Sequence, residues 1–162
     1  MPEELTVVFR PQEYHAAHAS VLLAMAEAAA GELPGHPDLV PPLGDELTPA
    51  GRGLFVVAYV NGEPRGSGGY RTYPGDPGGD TVELVRMYVR PGTRRAGLGR
   101  ALLAELEALA VDEGYLRAVI EAGEGQRGAQ VLYRLTGYHP LPGDRGAPGR
   151  VRYGKELADR TD

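Results

Sequence analysis

Residues 83–103 read Glu83-Leu84-Val85-Arg86-Met87-Tyr88-Val89-Arg90-Pro91-Gly92-Thr93-Arg94-Arg95-Ala96-Gly97-Leu98-Gly99-Arg100-Ala101-Leu102-Leu103: a strand, a loop rich in arginine and glycine, and the opening of a helix. Gly97 and Gly99 let the backbone turn sharply and approach a ligand closely. The helix that follows begins with unpaired N–H groups aimed at the same point. Those donors and the positive end of the helix dipole favour a phosphate or pyrophosphate, and Arg94, Arg95 and Arg100 add charge around it. The same residues also read as a glycine-softened helix start with solvated arginines, and six residues alone do not separate the two.

Other phosphate loops fit less well. A P-loop ends in Gly-Lys-Ser/Thr, which is missing here. A dinucleotide fingerprint needs G-x-G-x-x-G, and Leu102 stands where the third glycine belongs. Glu121 follows about 20 residues on, as a ribose-binding acid would. The segments before the turn, however, read as an antiparallel meander, which is wrong for a first βαβ unit.

The meander and its surroundings follow from periodicity. Leu54 to Val60 is almost wholly apolar, as expected of a strand covered on both faces, and Asn61-Gly62 supplies the positive φ angles of a tight hairpin. Gly66 to Tyr73 is its antiparallel partner, and Thr81 to Arg90 a third strand. Upstream, Leu5 to Arg10 reads as a short first strand. Pro11 then suits the first turn of a helix running to about Ala30, which Gly31 ends. Leu33 to Ala50 carries five prolines and Gly44, and reads as a surface excursion.

Downstream, Leu98, Leu102, Leu106 and Leu109 stripe one face of a helix from about Gly97 to Glu113, with Gly114 at its C-terminal stop. Leu116 to Glu121 is a further strand and Arg127 to Thr136 a further helix. Tyr138 to Leu141 and Arg150 to Leu157 close the chain as two strands, leaving 158–162 as a loose tail. The whole is expected to be one α+β domain spanning 1–162, a mixed, mostly antiparallel sheet of about seven strands with helices on both faces.

Bulk composition narrows the function. A chain of 162 residues is of ordinary single-domain length. At that size roughly 70% of the unfolded surface is buried on folding, so no staple is needed. The chain has no cysteine, which excludes a thiol nucleophile, a Cys-based zinc site and a disulfide framework. No apolar run reaches membrane-span length, and Glu3 and Glu4 replace the basic region of a signal peptide, so the expectation is a cytoplasmic protein with no membrane contact. The net charge of -5 argues against nucleic acid as a partner and weakly favours an amine.

The segment 83–91 followed by R-R-A-G-L-G-R-A-L-L resembles motif A of the GNAT superfamily of N-acetyltransferases, whose Arg/Gln-x-x-Gly-x-Gly/Ala is met by Arg94, Gly97 and Gly99. Val57 to Gly66 looks like that family's second and third strands, Gln126 to Tyr138 like its second motif, and Arg152 to Leu157 like its last strand. The resemblance implies a GNAT-like fold that binds acetyl-CoA, with no metal. It implies that the backbone of Met87, Tyr88 and Val89 pairs with the pantetheine arm. It also implies that Arg94, Arg95, Ala96, Gly97, Leu98, Gly99 and Arg100 wrap the pyrophosphate. Gln126 stands where many members have an asparagine near the cofactor.

Acetyl transfer to an amine requires a neutral nucleophile, a polarised thioester carbonyl and a proton for the departing thiolate. Tyr133 matches the family tyrosine that protonates the coenzyme A sulfur, although it also fits the buried face of a short helix. For the base there are two candidates, Glu121 and Glu83, with ordered water or an already neutral amine as alternatives. An unbroken strand would put Glu83 on the apolar face of Val85, Met87 and Val89, and a bulge would reverse that facing. The carbonyl oxygen is expected at a main-chain N–H near Met87 or Tyr88. His15 and His18 are one turn apart but have no third metal ligand in view. His36, Asp38 and the loop 143–149 are expected to border the acceptor site. The reading is an acetyl-CoA-dependent N-acetyltransferase acting on a small-molecule or peptide amine. A non-catalytic acyl-CoA sensor is its rival, and a homodimer is left open.

Overall fold

The computed structural model describes residues 6–13, 16–30, 52–76, 78–93, 97–142 and 149–158. Seven strands form one sheet in the order β1-β2-β3-β4-β5-β7-β6: β1 Val7–Pro11, β2 Leu54–Val60, β3 Glu63–Thr72, β4 Thr81–Val89, β5 Arg117–Gly123, β6 His139–Pro140 and β7 Arg150–Glu156. Only β4 and β5 run parallel; every other neighbouring pair is antiparallel. The helices are α1 Ala17–Ala30, α2 Leu98–Asp112 and α3 Arg127–Leu135.

β2 shows why the sheet is covered twice. Its residues alternate between faces. Phe55, Val57 and Tyr59 pack with Ala19, Leu22 and Leu23 of α1, while Val56 and Ala58 join the larger core under α2. That larger core takes Leu98, Leu102, Leu103, Leu106 and Ala110 from α2 and Tyr133 from α3, so α1 covers one face and α2 with α3 the other. A fully buried leucine such as Leu106 contributes roughly 2–3 kcal/mol relative to exposure. Asn61 and Gly62 turn the β2–β3 hairpin with φ of 50° and 85°. That double positive is what a two-residue turn demands.

Three expectations are corrected. Pro11 does not open a helix: it closes β1, paired with Val56, and α1 starts at Ala17. β1 lies at the sheet edge, where a residue without an N–H is tolerated. The pairing continues beyond it as Gln12 N donates to Phe55 O at 2.8 Å. Glu121 does not end β5, because antiparallel pairing with β7 carries that strand on to Gly123, opposite Arg150. The closing hairpin's first arm is shorter than expected, two residues at His139–Pro140. The surface excursion at 33–50 lies outside the described residues, as does the tail beyond Ala158.

Candidate active site

The parallel ladder between β4 and β5 consists of four pairs, Thr81–Arg117 through Leu84–Ile120, and then stops. β4 continues to Val89 and β5 to Gly123, so the two strands part beyond Leu84 and Ile120 and open a cleft in the sheet. Glu121 is the first residue past that divergence on β5, and Val85 the first on β4.

β4 is also bulged within the cleft. Ser67 pairs with Tyr88 and Gly69 with Val85, so Gly68 alone opposes Arg86 and Met87. Arg86 takes φ 59°. That left-handed angle costs a non-glycine residue about 1 kcal/mol or more. The bulge turns the strand over. Val82 and Leu84 face α2, as do Met87 and Val89 beyond it, while Val85 and Tyr88 lie toward α1. Glu83 therefore sits on the α1 face, opposite to Met87 and Val89, and the unbroken-strand expectation is overturned.

At the mouth of the cleft α2 begins. Its N-cap, Gly97, has φ 72°. Glycine adopts that left-handed conformation without strain. Leu98 anchors the turn in the core and Arg100 is exposed. Gly99 lies where a Cβ would be 3.5 Å from Leu132 of α3 and 3.6 Å from Val89, bringing α2, α3 and the end of β4 together. Arg94, Arg95 and Ala96 lie outside the described residues, as do His15, His36, Asp38 and 143–148.

From α3, Gln126 Oε1 accepts a hydrogen bond from Gly123 N at 2.7 Å, tying the helix start to the end of β5. Gln130 Nε2 donates to Gly123 O at 2.7 Å. Tyr133 is buried among Tyr138 and Tyr153, each ring centroid 6.0 Å away, and its hydroxyl makes no hydrogen bond among the described residues. Burial pushes its phenol up to about 12, with the charge of Arg150 pulling the other way and Tyr153 adding to the rise. It holds its proton throughout the neutral range.

The α1 face of the divergence is charged. Arg71 meets Glu83 through Nε at 2.8 Å and Nη2 at 2.7 Å, with Glu83 only 8% exposed. Glu121 is bracketed by Arg152 Nη2 at 2.8 Å and Arg150 Nε at 3.4 Å, and Arg152 also donates to Tyr73 Oη at 2.7 Å. Both candidate bases are thus held in ion pairs. Sequence reading missed Arg71, Tyr73, Arg150 and Arg152. The signal was there in their i, i+2 spacing, which puts each pair on one face of its strand, but their sheet neighbours were unknown. His18, exposed on α1, bonds through Nδ1 to Tyr59 Oη at 2.7 Å.

A family model described as the acetyltransferase (GNAT) family matches residues 20–138, from α1 to the end of the turn after α3. The chain belongs to the GNAT acetyltransferase family. Solved GNAT-like structures superpose over almost the whole chain. A Klebsiella pneumoniae protein provisionally named an acyl-CoA N-acyltransferase is 25% identical, with TM-score 0.75 and coverage of 93% of this chain and 97% of that one. A Desulfovibrio desulfuricans protein provisionally named a GNAT acetyltransferase is 24% identical, with TM-score 0.72 and coverage of 94% and 100%. An Elizabethkingia anophelis GNAT acetyltransferase, solved with acetyl-CoA bound, is 19% identical, with TM-score 0.64 and coverage of 93% and 97%. No curated protein sequence gives a match. Within this GNAT chain, the β4 bulge lies just past the divergence, and the start of α2 sits against Val89 at the end of β4 and Leu132 of α3. The two glutamates stand at the charged rim of the divergence.

Among the described residues no helix is long and apolar enough to cross a membrane, and no cluster of histidine and acidic side chains has metal-site geometry.

Proposed function

We propose that this protein moves an acetyl group from acetyl-CoA directly to a primary amine. The observation that carries the proposal is the parting of β4 from β5 immediately after Leu84 and Ile120, beside a bulge and a hydroxyl-bearing helix. A strand that has left its neighbour offers main-chain groups to another extended chain. In this reading the backbone of Met87, Tyr88 and Val89 pairs with the pantetheine arm. Gly97, Leu98 and Gly99 present helix-start N–H groups to the pyrophosphate, with Arg94, Arg95, Ala96 and Arg100 around it. Gln126 braces α3 beside them. Acetyl-CoA supplies the acyl group as an activated thioester.

The protein's own part is orientation and proton handling. The bulge aims a main-chain N–H near Met87 or Tyr88 at the position of the carbonyl oxygen, where a fixed donor stabilises developing charge. Tyr133 keeps its proton at neutral pH and delivers it to the departing sulfur. Arg71 engages Glu83, and Arg150 with Arg152 engages Glu121. This favours an amine that arrives neutral, or passes its proton through ordered water, over direct abstraction by Glu121 or Glu83.

Calorimetry with acetyl-CoA, followed by an amine screen with detection of released thiol, tests the reading. Binding plus amine-dependent thiol release is the expected result. Failure to bind acetyl-CoA would sink the proposal, and binding without thiol release would leave a sensor domain in its place.

A further inference from the structure

We infer that the acceptor carries a carboxylate beside its amine, and that Arg150 receives that carboxylate on β7 beside the open end of β5, where the β4–β5 cleft is widest. The inference rests on the acetyl-transfer reading and names the class of its acceptor.

The charged rim is unbalanced. Three guanidinium groups, of Arg71, Arg150 and Arg152, face two carboxylates, of Glu83 and Glu121. Both carboxylates are engaged: Arg71 grips Glu83, and the two oxygens of Glu121 divide between Arg152 and Arg150. The surplus positive charge falls at Arg150. Its side chain is 13% exposed, its Nε faces Glu121, and its Nη1 is buried and has no hydrogen-bond partner among the described residues. A buried cationic N–H without an acceptor is costly, and native structures rarely leave one so.

The position of Arg150 says what fills that place. It pairs with Gly123, at the end of the strand that has diverged from β4. Its charge opposes, in part, the rise that burial gives the Tyr133 phenol. A carboxylate on the acceptor would meet a guanidinium edge already held in place by Glu121, the planar pairing that arginine favours. The same surplus charge disfavours a polyamine, whose further cations would face arginines. The rim thus accounts for two things at once: an unsatisfied donor and a pair of engaged glutamates.

The test uses the full chain and matched acceptors: a set of amino acids, their carboxamides and the corresponding decarboxylated amines, each assayed for thiol release from acetyl-CoA. The carboxylate member of a matched set should exceed the other two in kcat/KM by about tenfold to a hundredfold, the range of a charge-assisted hydrogen bond. In Arg150→Gln that ratio should collapse toward one, and in Arg150→Lys it should fall only partly. Acetyl-CoA affinity by calorimetry should be retained in both, which also reports that they fold. Equal or better use of the decarboxylated amines, or a ratio untouched in Arg150→Gln, overturns the inference and leaves the transferase intact. Loss of acetyl-CoA binding in the unaltered protein, or no thiol release with any acceptor, brings down both.

Discussion

The sulfur of Met87 lies 2.6 Å from the point that a Cβ on residue 68 would occupy, so Gly68 is the space into which the β4 bulge folds its side chain. Leu106 of α2 closes the same space from above, 3.1 Å from that point. Gly68→Ala therefore forces the Met87 side chain aside, in a space that Leu106 and Leu102 of α2 already narrow. The variant should lose about 1–3 kcal/mol of stability, as overpacking does, and bind acetyl-CoA more weakly. Thermal unfolding and calorimetry read the two effects. A variant that keeps wild-type stability would show that the bulge shifts freely.

Tyr133→Phe separates chemistry from architecture. The hydroxyl makes no hydrogen bond among the described residues, while the ring packs on Tyr138 and Tyr153. Removing the oxygen should leave stability and acetyl-CoA affinity nearly unchanged. Turnover should fall about a hundredfold or more, the usual reach of a positioned general acid. Unaltered turnover would reassign the proton to solvent.

Alkaline pH should unfold the protein through its tyrosines. Tyr133 and Tyr70 both titrate at about 12 here, raised chiefly by burial. The same phenols titrate at about 10 in an unfolded chain. A raised value means that the unfolded state gives up its protons first. The stability these phenols contribute is whole below about pH 10 and is lost as pH climbs from about 10 to about 12. Phenolate absorbance and circular dichroism followed together should change in step over that window. Full ionisation at the lower end with the fold intact would contradict the burial of both groups.

Arg71→Met should destabilise by about 3 kcal/mol, because it strands the Glu83 carboxylate in a nearly closed site. Adding Glu83→Gln should return most of that loss, since no buried charge then lacks its partner. Denaturant unfolding of the two single variants and the double variant gives the coupling. Equal losses in the Arg71 single and the double variant would mean that the pair contributes packing alone.

Much of this fold was legible because its elements announce themselves locally. The apolar run of β2, Asn61-Gly62 and the leucine stripe of α2 each fix an element without knowledge of its neighbours. Pro11 was misread because its strand exists only through pairing with β2, a distant partner in the chain. Glu121 was placed at a strand end for the same reason, since β7 supplies the pairing that carries β5 onward. Within the candidate site, the glycine turn and Tyr133 stood out as a pattern. The arginines that engage the two glutamates did not, because Arg71 and Arg152 meet at the rim only once β3, β4, β5 and β7 lie side by side. The facing of Glu83 turned on a bulge that periodicity alone cannot register.

The brevity of the β4–β5 ladder has a mechanical meaning. Four residue pairs join the half of the sheet built by β1 to β4 to the half built by β5, β7 and β6. The flanking ladders, β3–β4 and β5–β7, are longer. This seam is splinted by α2, which rests on β3 and β4 while its Glu107 reaches across to Tyr138 Oη at 2.8 Å and Lys155 Nζ at 2.9 Å. Force or denaturant applied to the molecule thus meets a sheet in two leaves bound along one short spine. In the proposed reading, the pantetheine arm of acetyl-CoA, laid along the open edge of β4, would act as stitching between them.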